Sequence, residues 1–173
     1  MNASITDTSA SATTTLQNNP LHFIHTSNVL SPTQLGGLTA TANYITQTGG
    51  DHSFNIGVTS VTPTSTAFNI QANFGAQTFT YDATSSFSVT TLSGTGMSGG
   101  IPNIPFSQMS NFTLAGNTSC LTCAGNASLQ FAGSVVDGGP TSGTYASHAI
   151  TGYTLTDGFN HAAGVALLSG NVP

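Results

Sequence analysis

The sequence predicts an all-β protein: a closed antiparallel β-barrel of eight or nine short strands that follows an extended N-terminal segment. The chain holds 29 Thr and 21 Ser, while the helix formers Glu, Lys and Arg are absent. After Pro32, apolar and polar residues alternate over short stretches, which is typical of strands with one buried face. Gly, Asp-Gly and Pro turns separate these stretches. A β-sandwich is the alternative architecture.

Successive stretches with this alternation are predicted to be strands. They are residues 38–46, 53–61, 66–74, 77–83, 86–97, 111–115, 128–136, 143–156 and 161–169. Loops are predicted at 49–51, 99–105 and 137–140. The clearest hairpin joins 153–156 to 161–168, because Asp157-Gly158 readily takes the positive φ angles of a tight turn. Closure into a barrel would remove edges that charged residues normally protect.

The first 32 residues form a separate part of the predicted organisation, and residues 33–173 form the barrel domain. Residues 1–17 are rich in Ser, Thr and Ala, and a more apolar stretch follows between Pro20 and Pro32. We expect this segment to act as a strand or clasp between subunits. Its candidate assembly residues are Ile5, Leu16, Leu21, Phe23 and Ile24. The sequence leaves open whether these residues pack against this chain or against a neighbouring chain.

The charge composition excludes several classes of function. The chain has no Lys or Arg, a net charge of -5, and 3% charged residues, where a globular protein averages about 25%. Without a permanent cation it cannot neutralise phosphates, so we expect no nucleic-acid partner. It also lacks a Lys for Schiff-base chemistry and an Arg for clamping a carboxylate. No apolar run approaches the roughly 20 residues of a transmembrane helix.

One cysteine pair, Cys120 and Cys123, offers three interpretations. A redox site needs this spacing at a helix N-terminus, but residues 117–119 and 124–126 are typical of a loop. A metal site would need two more ligands, which only His could supply. A structural disulfide in an exported protein is the favoured interpretation.

The histidines are candidate ligands. His22 and His25 are three residues apart and would share a face of a helix, but they would lie on opposite faces of a strand. His52, His148 and His161 are scattered. We therefore expect mainly hydrogen-bonding histidines and no cofactor, with His22 and His25 as weak metal candidates.

No catalytic residue is predicted. Ser98 lies in a G-x-S-x-G string, but that motif needs a helix directly afterwards, and the two prolines within residues 101–105 oppose one. Asp51, Asp137 and Asp157 stand in turn-like sequence, where Asp bonds to backbone amides. The expectation is a protein that is not an enzyme.

Several short stretches carry a resemblance to a known family. They are Leu38-Thr39-Ala40-Thr41-Ala42-Asn43-Tyr44, Ser93-Gly94-Thr95-Gly96-Met97, Phe131-Ala132-Gly133, Gly152-Tyr153-Thr154-Leu155-Thr156-Asp157-Gly158 and Gly164-Val165-Ala166. Their order resembles the transferrin-binding-protein-B-like β-barrel and the C-terminal barrel of bacterial surface proteins with a FecR domain. The resemblance implies an eight-stranded up-and-down barrel displayed outside the cell, with loops or an attached handle that bind partners. This chain departs from that pattern in lacking cations and in having Leu167-Leu168 where an aromatic residue is usual.

These observations together predict a non-enzymatic extracellular or bacterial cell-surface protein with a structural or adhesive role. We expect a homo-oligomer or polymer, such as a fibre or matrix, assembled through the N-terminal segment. Strand addition draws affinity from backbone hydrogen bonds, and a nearly neutral surface imposes little repulsion on stacked copies. The alternative is a surface β-barrel that binds haem, a metal or a host protein.

Overall fold

A computed structural model describes residues 3–7, 12–16, 22, 24, 26, 28–46 and 50–173, the first two ranges as backbone only. Within these residues the chain is almost entirely β. The elements are β1 (Ala3–Asp7), β2 (Ala12–Leu16), α1 (Pro32–Gly36), β3 (Thr41–Thr46), β4 (Asp51–Ile56), β5 (Thr59–Val61), β6 (Ser65–Asn73), β7 (Thr78–Phe87), β8 (Thr90–Met97), β9 (Ile104–Pro105), a 3₁₀ turn (Phe106–Gln108), β10 (Phe112–Asn117), β11 (Cys120–Asp137), β12 (Thr144–Thr156) and β13 (Asn160–Asn171). The all-β prediction is confirmed.

Eight of the strands form a closed, barrel-like ring. Their order is β3, β6, β7, β8, β10, β11, β12 and β13, and β13 pairs with β3 to close the ring. Each neighbouring pair is antiparallel. Ring neighbours are also neighbours in chain order apart from the insertion of β4, β5 and β9, so the predicted up-and-down arrangement is confirmed.

The inserted strand β4 takes the place of β3 beside the first half of β13. β13 pairs with β3 through Leu168–Asn171 and with β4 through Asn160–Val165. β5 pairs back onto β4, as β6 pairs with β3. The single strand predicted at 53–61 is therefore wrong, because the chain reverses at Gly57 and Val58. Asp51 begins β4 instead of ending the predicted loop 49–51, of which residue 49 lies outside the described residues.

Two other boundaries also differ from prediction. The break expected near residues 84–85 is wrong, because Ser85 is fully buried within β7 and the turn comes at Ser88, with φ +51. The predicted loop 99–105 contains the short strand β9, which pairs with β7. Helix α1 was not predicted, although Ser31 and Gln34 form a capping box around it.

Aromatic side chains fill the inside of the ring. Ten rings are linked in a continuous column with successive centroids 4.9–6.2 Å apart. They belong to His52, Phe68, Tyr153, Tyr81, Phe112, Phe79, Phe106, Phe74, Phe131 and Tyr44. The interior is thus a packed core, which leaves the outer face and the N-terminal segment as the places to look for function.

Two buried phenols in the column have hydrogen-bond partners. The Tyr44 hydroxyl donates to the Ala146 carbonyl at 2.8 Å, and the Tyr81 hydroxyl lies 2.8 Å from Thr151 Oγ1. Burial raises the pKa of both Tyr44 and Tyr81, so both phenols are neutral. These hydrogen bonds therefore help to hold the ring of strands together without adding charge to the core.

Candidate functional site

The N-terminal hairpin is a sheet of its own. β1 and β2 pair antiparallel from Ala3 opposite Leu16 to Asp7 opposite Ala12. In the part of the chain that the structure describes, neither strand pairs with the ring. Ile5 and Leu16 lie in these strands, but their side chains are outside the description. The hairpin therefore has outer backbone edges that the described ring does not use.

The chain following the hairpin is anchored on the ring. Val29 forms an antiparallel bridge with Ala132 of β11. The Leu30 amide donates to the Phe131 carbonyl at 3.0 Å, and the Gly133 amide donates to the Asn28 carbonyl at 2.9 Å. Residues 28–30 therefore pack against their own chain.

The other candidate assembly residues before this bridge are described only in part. Ile24 is half-buried. Leu21, Phe23 and the weak metal candidate His25 lie outside the described residues. Their predicted roles stay predictions.

His22 makes the most specific side-chain contacts of this segment. Its Nε2 lies 2.8 Å from Ser53 Oγ, and its Nδ1 lies 3.1 Å from Asp51 Oδ2. The second contact has ion-pair distance but not hydrogen-bond alignment. The His22 side chain is 8% exposed, whereas Asp51 is 64% exposed. Asp51 and Ser53 are two residues apart on β4 and so share its outer face, opposite the buried Phe54.

A groove runs over the outer face beside Ser53. Its volume is about 640 Å³, and Asn55, Thr154, Thr156 and His161 contribute polar groups to its lining. A second hollow of about 420 Å³ lies over β11, β12 and β13 and is bordered by His22. Thr154 and Ala163 line both, so Ser53 and His22 meet where the two hollows adjoin.

His52 lies on the opposite face of β4, inside the ring. Its imidazole packs against Tyr153 and Phe68, with ring centroids 5.8 Å and 6.1 Å away. The close approach needs Gly164, because a Cβ there would be 2.3 Å from His52 Nδ1. Burial lowers the pKa of His52 and nearby His22 lowers it further, while Asp51 acts in the opposite direction. His52 is therefore a core residue that prefers the neutral form.

The remaining histidines are not brought together. His148 Nδ1 lies 2.8 Å from Ser147 Oγ on β12, and exposed His161 lines the outer groove. Across the described ranges, no group of three or more His, Cys or Asp side chains could hold a metal ion.

The predicted disulfide between Cys120 and Cys123 is present, with the sulfurs 1.99 Å apart. The loop expected before the pair is present as the turn at residues 118–119, whereas the loop expected at residues 124–126 is wrong, because those residues lie in β11. Residues 120–124 span a bulge between the pairs Asn117–Cys120 and Ala115–Ala124. Gly116 permits this bulge to lie close, since a Cβ there would be 2.3 Å from the Cys120 carbonyl oxygen. The disulfide closes the bulge at the end of a hairpin.

Ser98 lies in a tight turn. The Ser98 amide donates to the Ile101 carbonyl at 2.9 Å, and the Ile101 amide donates back at 3.0 Å. No helix follows within the fully described stretch 99–105. The nucleophile-elbow geometry is therefore missing at this serine.

Two of the three aspartates that were predicted to act in turns do so. Asp137 Oδ1 accepts from the Gly139 amide at 2.9 Å. Asp157 accepts from the Phe159 and Asn160 amides at 2.9 and 2.7 Å and from the Asn160 side chain. Burial alone would raise the pKa of Asp157, but these hydrogen bonds outweigh it and lower the pKa. The predicted β12–β13 hairpin is confirmed, although only Gly158, not Asp157, has positive φ.

Sequence reasoning missed the meeting of Ser53, His22 and Asp51. The spacing of Asp51 and Ser53 on a strand places them on one face, but nothing local indicates that His22 covers them.

The chain matches no family model, no curated protein and no solved structure. The family resemblance and the expectation of no enzymatic activity thus stay predictions. In the described residues, no helix is long and apolar enough to cross a membrane.

Proposed function

We propose that this protein is an extracellular structural or adhesive subunit that forms a homo-oligomer or polymer through its N-terminal hairpin. The carrying observation is that β1 and β2 form a sheet apart from the ring, while the chain that follows is anchored on that ring. The ring is the body of the subunit, and the hairpin is the element offered to another copy.

Backbone chemistry supports this role. An isolated two-stranded hairpin is marginally stable in water, so β1 and β2 gain stability from a further strand. Strand addition needs unpaired backbone groups and tolerates simple side chains such as those of Ser, Thr and Ala. The hairpin sequences ASITD and ATTTL contain one charged residue between them. Little charge repulsion would therefore oppose pairing with a second copy.

The disulfide supports the proposed location. Disulfides persist mainly in oxidising compartments, including the bacterial periplasm and the cell surface. Cys120 and Cys123 are bonded to each other, and no free cysteine is present. An extracellular or bacterial cell-surface site agrees with this chemistry.

Deletion of residues 1–20 tests the proposal. The shortened chain loses the hairpin but keeps His22 and the backbone bridge at Val29. In negative-stain images and light scattering, we expect the full chain to form fibres or oligomers and the shortened chain to be a folded monomer. A strictly monomeric full chain, or equal assembly of both chains, would contradict the proposal.

The alternative is a surface module that binds haem, a metal or a host protein. Its support is the outer groove of about 640 Å³, into which His161 projects a possible ligand. Titration with haem checks the haem version, since ligation by His would produce a sharp Soret band. An unchanged spectrum that His161→Ala also leaves unchanged would remove it.

A further inference from the structure

We propose that Ser53, His22 and Asp51 form a hydrolytic site for uncharged carboxylic esters. Ser53 is the nucleophile, His22 is the general base, and the nearby carboxylate of Asp51 favours the imidazolium that forms during the reaction. The site lies where the outer groove meets the hollow that His22 borders. This activity goes beyond the structural role and does not depend on assembly.

The distance between Ser53 and His22 satisfies the first requirement of an activated serine. A nucleophile and its base must lie within about 2.6–3.2 Å, and the base must be oriented by a third group. Ser53 Oγ and His22 Nε2 are 2.8 Å apart, and His22 Nδ1 and Asp51 Oδ2 are 3.1 Å apart. The Nδ1 contact lacks hydrogen-bond alignment, so Asp51 acts by its charge alone and favours the imidazolium that forms when Nε2 takes the serine proton.

The burial of His22 and the exposure of Asp51 determine how fast hydrolysis should be. His22 is held in a largely water-free position, with its side chain 8% exposed. Asp51 is 64% exposed, so water screens its effect on the imidazole. The arrangement therefore predicts a slow esterase.

The groove defines the substrate class. Thr154, Thr156 and His161 give it a polar lining without a permanent charge, and the Ala163 carbonyl accepts a hydrogen bond from Ser53 Oγ at 3.5 Å. The chain has no Lys or Arg to bind a carboxylate or phosphate. Asn55 is the next outward residue on β4 after Ser53 and lines the same groove.

The reaction needs only the ester and water. The Ser53 oxygen attacks the carbonyl carbon as its proton moves to His22 Nε2, and the ester C–O bond breaks. The proton on His22 passes to the leaving alcohol. Water then attacks the acyl carbon and gives a proton to His22, and Ser53 Oγ leaves and takes that proton back. The products are one alcohol and one carboxylic acid.

Two deletions separate this proposal from the assembly role. Removing residues 1–20 takes away the hairpin and keeps His22, so hydrolysis should persist when assembly is lost. Removing residues 1–27 also takes away His22, so hydrolysis should fall while the bridge at Val29 stays. If removal of residues 1–20 abolishes hydrolysis as well as assembly, the claim that hydrolysis does not depend on the hairpin is wrong.

The test uses a fluorophosphonate probe and p-nitrophenyl acetate on the intact chain. Mass spectrometry should place the probe on Ser53, and Ser53→Ala should lower protein-dependent hydrolysis by about tenfold or more, as should His22→Gln. Asp51→Asn should lower hydrolysis less and leave Ser53 in place. Ser98→Ala, at a serine that lines neither hollow, is the control and should keep full labelling.

Labelling that is absent, or found only at other residues, would overturn the proposal. Because the labelled position is read from the unmodified chain, this result holds even if a variant fails to fold. Equal hydrolysis by native protein and a folded Ser53→Ala variant would also overturn it.

Discussion

The ring and the N-terminal segment satisfy their backbone and apolar groups in different ways. Every ring strand has two neighbours, and its inward side chains pack into one hydrophobic core that contains the aromatic column. The N-terminal hairpin has only itself as a described partner, and residues 28–30 attach it through two backbone hydrogen bonds to β11. Stability should therefore reside in the ring, while the segment remains available for contacts outside it.

The same difference gives meaning to the lack of cations. Edge strands are commonly protected by charged residues, especially Lys, and this chain has none. The ring has no unprotected edge strand, because it closes through the β13–β3 pairing. The hairpin has no such closure, so its edges are the ones to examine for assembly.

The largest effect should follow from damage to the aromatic column. Phe131 is 1% exposed and contacts the rings of Tyr44, Phe74 and Phe106. Phe131→Ala should lower the free energy of unfolding by about 3–5 kcal/mol in denaturant titrations. Phe159→Ala is the matched control, since Phe159 is 64% exposed. Equal losses in the two variants would show that the column is not the main source of stability.

A smaller effect is expected from the disulfide. The bond between Cys120 and Cys123 closes a short loop, for which chain entropy predicts a contribution of about 2 kcal/mol. A reducing agent should lower the unfolding midpoint of the native chain accordingly. The double variant Cys120→Ser, Cys123→Ser should not respond to the reductant. A native chain that is equally unresponsive would contradict the stabilising role.

Acidification should weaken the ring through His52. Burial and the nearby His22 hold the folded-state pKa of His52 below the unfolded value of about 6.5. The unfolded chain then binds the extra proton first, so this stability is complete above about pH 6.5 and is lost as the pH falls below it. His52→Gln should reduce the pH dependence of unfolding measured by circular dichroism. An unchanged slope in His52→Gln would refute this assignment.

The smallest effect on the ring should come from deleting residues 1–20. The described contacts of the segment with the ring begin at His22, so the unfolding free energy of the dilute monomer should change by about 0.5 kcal/mol or less. Urea titration of both chains at low concentration measures the difference. A loss of several kcal/mol would mean that the hairpin packs on its own ring.

Local patterns predicted the ring but not its outer contacts. Alternation and the Asp157-Gly158 turn correctly indicated the β12–β13 hairpin, while the up-and-down order of the ring was what the family resemblance implied. Alternation could not show that Ser85 continues β7, since a buried serine in the core resembles turn sequence. The contact of His22 with Ser53 joins positions 31 residues apart and depends on how the segment crosses the ring. Only tertiary structure supplies that information.

Hydrogen exchange of the backbone amides in Ala3–Asp7 and Ala12–Leu16, followed at increasing protein concentration, tests the difference between ring and segment most directly. If a second copy completes the hairpin, these amides should exchange rapidly in dilute monomer and slowly once oligomers form, while β11 and β12 stay protected throughout. Slow exchange of the hairpin amides in the dilute monomer, or rapid exchange at every concentration, would contradict assembly through this segment.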